Sequence, residues 1–257
     1  MRALKDTWTM AKRSLRHIVR SPDTIITVLI SPIALLLMFV YVLGGALGRQ
    51  TGSVSYVDFI TPGIIIMTVV SGIAYAAFRL NNDIQKGIIN RFRTMPVASS
   101  SILSGQAMSS TLSNLFSSLL VLAVAFAIGF RTSAGLVEWL LFAGLLALFT
   151  LATTWMAIFF GLQAKSAEGA GSFSYILMFL IFISPSFVPT TSMTPLLRGF
   201  ADNQPFTPII ETMRSLLTTG TAGDKVWLAF GWCVGILVVM YALAIRQYKR
   251  KTIVANS

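Results

Sequence analysis

The sequence has little of what catalysis in water needs. Charged residues make up 11% of its 257 positions, against about 25% in an ordinary soluble domain. There is one histidine, His17, one cysteine, Cys233, and nine acidic residues. A lone cysteine allows no disulfide within the chain and no thiolate metal cluster. The acids are Asp6, Asp23, Asp58, Asp83, Glu138, Glu168, Asp202, Glu211 and Asp224, and all fall at the ends of apolar runs or between them. No pair has the spacing of a carboxylate dyad or a metal site, so neither hydrolytic nor metal-assisted catalysis finds its constellation. His17 lies in a basic stretch, where a histidine is more often interfacial than catalytic. Proton-driven carriers bury acids or histidines in mid-span, and none is placed so here. Sodium sites built from broken helices stay open at Pro62–Gly63 and at Pro185 and Pro189; simple kinks or span ends explain the same residues. There is no G-x-x-x-x-G-K-S/T loop, so the chain does not cradle ATP in a P-loop of its own. Any uphill transport must draw its energy from a partner.

What is abundant is apolar surface. Hydrophobic residues are 55% of the chain and the mean hydropathy is +0.76. A water-soluble core cannot bury this much apolar surface at this length, which predicts an all-α membrane protein. Six runs reach the roughly 20 residues that a membrane-crossing helix needs, near 25–44, 58–78, 107–130, 138–162, 171–189 and 226–245. The charged leader is too long, and the first run too extended, for a signal peptide.

The net charge of +11 would point to nucleic acid in a soluble protein. Here the basic residues flank apolar runs, so anionic lipid and membrane topology explain them and no nucleic-acid partner is expected. Fifteen of the 20 lysines and arginines fall on one side of a six-span arrangement: six in the leader, Arg79, Lys86, Arg91 and Arg93 after the second run, Lys165 after the fourth, and four in the tail. Arg49, Arg131, Arg198, Arg214 and Lys225 fall on the other. The positive-inside rule then gives both termini in the cytoplasm. Within the leader (1–23), Leu4, Trp8, Leu15, Ile18 and Val19 share one helical face, while Lys5, Lys12, Arg16 and Arg20 share another. That periodicity predicts an amphipathic helix lying in the interface. A basic leader that only sets topology explains the charges but not the spacing.

Two segments outside the spans carry patterns. The loop 190–225 is broken by Pro195, Pro205 and Pro208, and fits two short helices near 194–202 and 207–218. It is too apolar for a solvated loop, which predicts re-entry into the membrane or packing on the spans. In 83–95, Ile84, Ile88, Phe92 and Met95 recur on one helical face, with Asp83, Lys86, Asn90 and Arg93 off it. Asp83 could cap that helix, and Pro96 ends it. The pattern fits a short amphipathic helix that rests in the interface or plugs a soluble partner's groove, and equally an ordinary basic loop. Gly44 with Gly48, and Gly231 with Gly235, are small-x-x-x-small pairs.

The run "DIQKGIINRFRTMP", followed by "SSILSGQ", resembles the cytoplasmic loop of ABC-2 type permeases, in particular the daunorubicin-resistance type of drug-export permease. The matching positions are Asp83, Gly87, Arg91, Phe92, Arg93, Pro96 and Gly105. A looser likeness to the family's extracytoplasmic pattern runs through Phe187, Val188, Pro189, Met193, Pro195, Gln204, Pro205, Thr207, Arg214 and Gly220. The short "GRQTGSVSY" loop departs from relatives that carry a large outer domain. The resemblance implies the membrane subunit of an exporter powered by a separate ATP-binding cassette subunit. That partner would hold ATP and magnesium, and this chain would bind no cofactor or metal. A second permease copy or close relative would complete the assembly in a bacterial inner membrane. Asp83, Lys86, Gly87, Ile88, Arg91, Phe92, Arg93 and Pro96 would couple to the ATPase, and Trp8, Lys12 and Arg16 would mark a connecting helix. Pro189, Pro195, Gln204, Pro205 and Arg214 would shape an outer re-entrant pair. By the same analogy the first and fifth spans line the cargo path, which makes Phe39, Tyr41, Tyr175, Phe179 and Phe182 candidate contacts; packing or lipid-facing roles are the rival reading. The cargo expected is an amphipathic or lipophilic compound, such as a drug or a lipid. A polysaccharide or lipid-linked glycan exporter, a non-transporting scaffold subunit and a membrane enzyme are the alternatives.

Overall fold

The computed structural model describes residues 30–48, 55–86 and 99–254. Those residues form helices and connecting turns, with no strand among them. Helix α1 (Ser31–Leu37) runs into a π-helical stretch, Met38–Leu43, and then into α2 (Gly44–Leu47). The long helices are α3 (Tyr56–Gln85), α4 (Ser99–Ala127) and α5 (Leu136–Gln163). A short α6 (Ala167–Gly171) bends into α7 (Phe173–Phe182). Two amphipathic helices, α8 (Pro195–Asn203) and α9 (Phe206–Thr218), precede the last long helix, α10 (Val226–Val254).

Four helices, in α3, α4, α5 and α10, are long and apolar enough to cross a membrane. The apolar helices Ser31–Leu47 and Ala167–Phe182 are shorter. In the most apolar stretch of α3, 83% of the residues are buried inside the protein, against 17% in α10. Helix α3 is therefore the axis of the bundle and α10 lies at its edge. The sequence dictates this: Ile60, Ile64, Ile65, Ile66, Val69, Val70 and Ile73 make α3 apolar all round, and each is fully buried.

Several run boundaries shift. Helix α3 extends past the expected 58–78 to Gln85, so its 30 residues span about 45 Å at 1.5 Å per residue. That exceeds a hydrocarbon core of about 30 Å. Asp83 consequently lies in the last turn of α3 and cannot cap a helix starting there; the helical ladder continues through it because no breaker precedes it. Helix α4 starts at Ser99 rather than near 107, and α10 continues beyond 245. Pro62 does not break α3. The fifth run stops being helical at Phe182, short of the expected 189. There Pro185 lacks the N–H that would bond Ile181 and disfavours helix at Ser184. Ser184 instead turns back, its N–H and hydroxyl both donating to the Ile181 carbonyl (3.1 and 2.5 Å). Of the two glycine pairs, Gly44 and Gly48 lie where added Cβ atoms would touch Tyr56, whereas Gly231 and Gly235 face open space.

A polar seam between α3, α4 and α5 does not show in the apolar-run reading. Ser109, Ser110, Asn114, Ser117 and Ser118 of α4 are buried, as are Thr150, Thr153 and Thr154 of α5. A Cβ at Gly72 of α3 would sit 1.7 Å from Asn114 Oδ1, so only glycine fits beside that amide. Gly72→Val is expected to lose about 1–3 kcal/mol to overpacking, read as a lowered melting temperature in detergent. Pairing Gly72→Ala with Asn114→Ala should recover most of the loss, because the clash needs both side chains.

Candidate functional site

The basic end of the bundle carries Lys86, Lys165, Arg246 and Arg250, and the start of α3 marks the opposite end. At that opposite end the backbone after α7 runs irregularly from Ile183 to Pro189 through the protein, with Ser184, Pro185, Ser186 and Phe187 all buried. Irregular backbone is tolerated at depth only where its polar groups find partners. Here side chains supply them. Arg214 of α9 donates from Nε to the Phe59 carbonyl (3.0 Å) and from Nη2 to the Pro185 carbonyl, and its guanidinium lies 3.7 Å over the Phe59 ring. Gln204, in the turn between α8 and α9, donates to the Leu180 carbonyl at 3.0 Å. The tightened turn at Ser184 takes away that carbonyl's regular helical donor. Tyr56 Oη donates to the Phe187 carbonyl (3.5 Å). Gly63 makes room for the segment: a Cβ there would come within 2.7 Å of Ser186 Cβ. Gly63 thus serves close packing.

The same cap is tied to the α4–α5 loop. Asp58 accepts from the Arg131 N–H (2.9 Å), and the Thr132 hydroxyl and Ser133 N–H both donate to the Leu217 carbonyl (2.6 and 3.2 Å). Gly220, at φ +63°, lies where a Cβ would meet the Ser133 carbonyl at 2.7 Å, so the left-handed turn and the close approach both call for glycine. Lys225 pairs with Glu211 at 2.7 Å.

Pro195 opens α8, where its missing N–H is harmless, and Pro205 directly precedes α9. Pro189 precedes a single 3-10 turn, Thr190–Ser192. The two short helices expected near 194–202 and 207–218 are therefore present as α8 and α9. The Arg214 and Gln204 ties to α3 and α7 are contacts that no spacing argument located.

The five aromatic candidates separate into two groups. Phe39 is 8% exposed. It stacks on Phe187 (4.7 Å between centroids), which stacks on Phe182 (5.0 Å), so Phe39 is a packing residue that joins the π-helical stretch to the end of α7. Within this chain its ring is covered, near the start of the π-helical stretch. Tyr41, from the same stretch, is 70% exposed, and Tyr175, Phe179 and Phe182 form an exposed face at helical spacing on α7. A separate open groove of about 270 Å³ lies between α4 and α5, lined by Ser104, Met108, Thr111, Leu112, Leu151 and Trp155.

At the basic end, Asp83 and Lys86 lie at the close of α3. Gly87, Ile88, Arg91, Phe92, Arg93 and Pro96 lie outside the described residues, as do Trp8, Lys12 and Arg16. Among the described residues no group of three or more His, Cys, Asp or Glu side chains is placed to hold a metal ion.

A bundle of long apolar helices around a buried α3, closed at one end by a pair of short amphipathic helices, defines an integral membrane protein of the polytopic helical class. The profile of the ABC-2 type transporter family matches residues 5–218, and the chain belongs to that family. It is 28% identical over 251 residues to the daunorubicin resistance ABC transporter permease protein DrrB1 of Streptomyces coeruleorubidus, covering 97% of this chain and 88% of that protein. It is 24% identical over 247 residues to the probable doxorubicin resistance ABC transporter permease protein DrrC of Mycobacterium tuberculosis, covering 95% and 88%.

Proposed function

We propose that the chain is the membrane-spanning permease subunit of an exporter that moves an amphipathic or lipophilic compound out of the cytoplasm. ATP, with magnesium, is hydrolysed by a separate ATP-binding cassette subunit docked on residues 83–96, and the leader helix moves with it. The chain crosses a bacterial inner membrane six times with both termini inside, α1–α2 and α6–α7 being the two short crossings. Helices α8 and α9 form the extracytoplasmic re-entrant pair. Two permeases face each other across Tyr41, Tyr175, Phe179 and Phe182, and cargo passes between them. Arginines 91 and 93 pair with acidic rims on the ATPase, and Phe92 is the apolar anchor.

The observation that carries this reading is the family match along most of the chain, to which the drug-resistance permeases among its relatives lend a cargo class. The exposed aromatic face of α7 offers the apolar, adaptable surface that such cargo needs. The test is uptake of daunorubicin into inverted vesicles holding the permease and its ATPase. ATP-dependent accumulation is the expected result. Tyr175→Ala with Phe179→Ala should raise the half-saturating concentration by about fivefold while leaving basal ATP hydrolysis within twofold. Accumulation that ignores ATP, or transport only of a lipid-linked glycan, overturns the cargo assignment.

A further inference from the structure

One buried amide ties the basic ends of α3 and α5 together. Asn81 is 2% exposed. Its Nδ2 donates to the carbonyls of Gly161 (2.9 Å) and Ala164 (2.8 Å), and its Oδ1 accepts from Gln85 Nε2 (2.7 Å). Gln85 also reaches the Lys165 carbonyl at 3.2 Å. Carbonyls at a helix C-terminus have no donor from their own helix. Here a neighbouring helix delivers the donor, so the turn out of α5 is capped by α3.

The packing around the amide is equally close. A Cβ at Gly161 would lie 3.1 Å from the Ala77 carbonyl oxygen, and one at Gly171 would lie 3.3 Å from that of Ala74. The elbow is closed internally as well: Ser166 Oγ accepts from the Gly169 N–H (3.1 Å), and Phe173 stacks on Phe160 at 4.7 Å. Two residues further along α7 stands Tyr175, the first residue of the exposed aromatic face. Asn81 itself lies two positions before Asp83, where the proposed coupling stretch begins.

We propose that Asn81 is the pin through which displacement of the coupling stretch reaches α7. It holds the end of α3 and the α5–α6–α7 elbow as one body, so a pull on residues 83–96 swings the base of the aromatic face rather than slipping past it. Asn81 is a positioning residue: it touches neither nucleotide nor cargo. This inference rests on the exporter reading, and it adds to it where the stroke is passed on.

The test uses the full permease with its ATPase in proteoliposomes, in a Cys233→Ser background. Asn81→Ala is expected to lower cargo moved per ATP hydrolysed by about tenfold, with membrane abundance and ATP hydrolysis within about twofold of the parent. Adding Gln85→Cys and Lys165→Cys, bridged by a short bismaleimide, should restore the ratio to within about threefold. Destabilisation alone would lower abundance and hydrolysis together, and a bridge would not mend the ratio. Amide exchange across 164–171, measured on the permease without nucleotide, should rise by about tenfold in Asn81→Ala. An unchanged transport-to-hydrolysis ratio, a loss that the bridge does not restore, or unchanged exchange in the elbow overturns the pin. If the parent protein moves nothing with ATP, the exporter reading falls instead, and the exchange measurement alone decides whether Asn81 ties the elbow.

Discussion

Replacing Arg214 with alanine is expected to abolish export and to lower the melting temperature of the permease in detergent. One guanidinium holds three things: the α3 backbone at Phe59, the irregular segment at Pro185, and the Phe59 ring. Hydrogen bonds from a charged donor contribute about 1.5–3 kcal/mol each, and a partly desolvated cation over a ring adds about 1 kcal/mol. Because Arg214 is half-buried, solvent takes up part of the loss, and about 3–4 kcal/mol is the expected fall in stability. Arg214→Lys keeps the charge but not the planar fork, which reaches the two carbonyls from two separate nitrogens. It should recover less than half of the loss. Full recovery with lysine would mean that charge matters here and that the paired geometry does not.

Placing aspartate at Phe92 is expected to have the largest effect on function with the smallest effect on folding. In the proposed mechanism Phe92 is the apolar anchor in the ATPase groove. A buried carboxylate there costs several kcal/mol, which corresponds to a loss of export of about 100-fold or more. Arg91→Glu should act in the same direction through like-charge repulsion against the acidic rim. Both variants should remain in the membrane at normal abundance, because neither residue lies in an apolar run. Export and ATPase stimulation are measured together. Normal values for both variants would remove residues 83–96 from the coupling path.

The sequence is legible where a single physical preference dominates. The continuous isoleucine and valine content of α3 marks a helix buried on all sides, and Pro195, Pro205 and Pro208 punctuate the loop in which α8 and α9 form. It is less legible where two preferences compete. Hydropathy sees an apolar run continuing to Pro189, but the proline at 185 and the turn at Ser184 end the helix at Phe182. Asp83 looks like a helix start because it precedes an amphipathic pattern, yet nothing between Asn81 and Gln85 interrupts the helix already running. The stretch Met38–Leu43 is π-helical, and its sequence, "MFVYVL", does not distinguish that from an ordinary helix. The polar seam of α4 falls inside an apolar run, as "SSTLSNLFSS", and hydropathy averages over it; the sequence also withholds that Gly72 faces Asn114 across it. Arg214 stood out as a charge in an oily loop. Its partners are backbone carbonyls more than 25 residues away in sequence, and carbonyls leave no mark on side-chain patterns.

These features share one physical theme. The bundle breaks its helical ladders at the end of α5 and at the end of α7, and each break is satisfied by a side chain from a neighbouring element: Asn81 at the first, Gln204 and Arg214 at the second. The aromatic face of α7 stays exposed between these two ties.

A photo-crosslinking amino acid placed at Phe92 in the full permease tests most directly whether energy enters from a separate ATPase. Capture of an ATP-binding cassette subunit, with a yield that changes between nucleotide-free and ATP-bound states, is the result expected. Crosslinks to lipid alone in both states, while ATP-driven export proceeds, would contradict it.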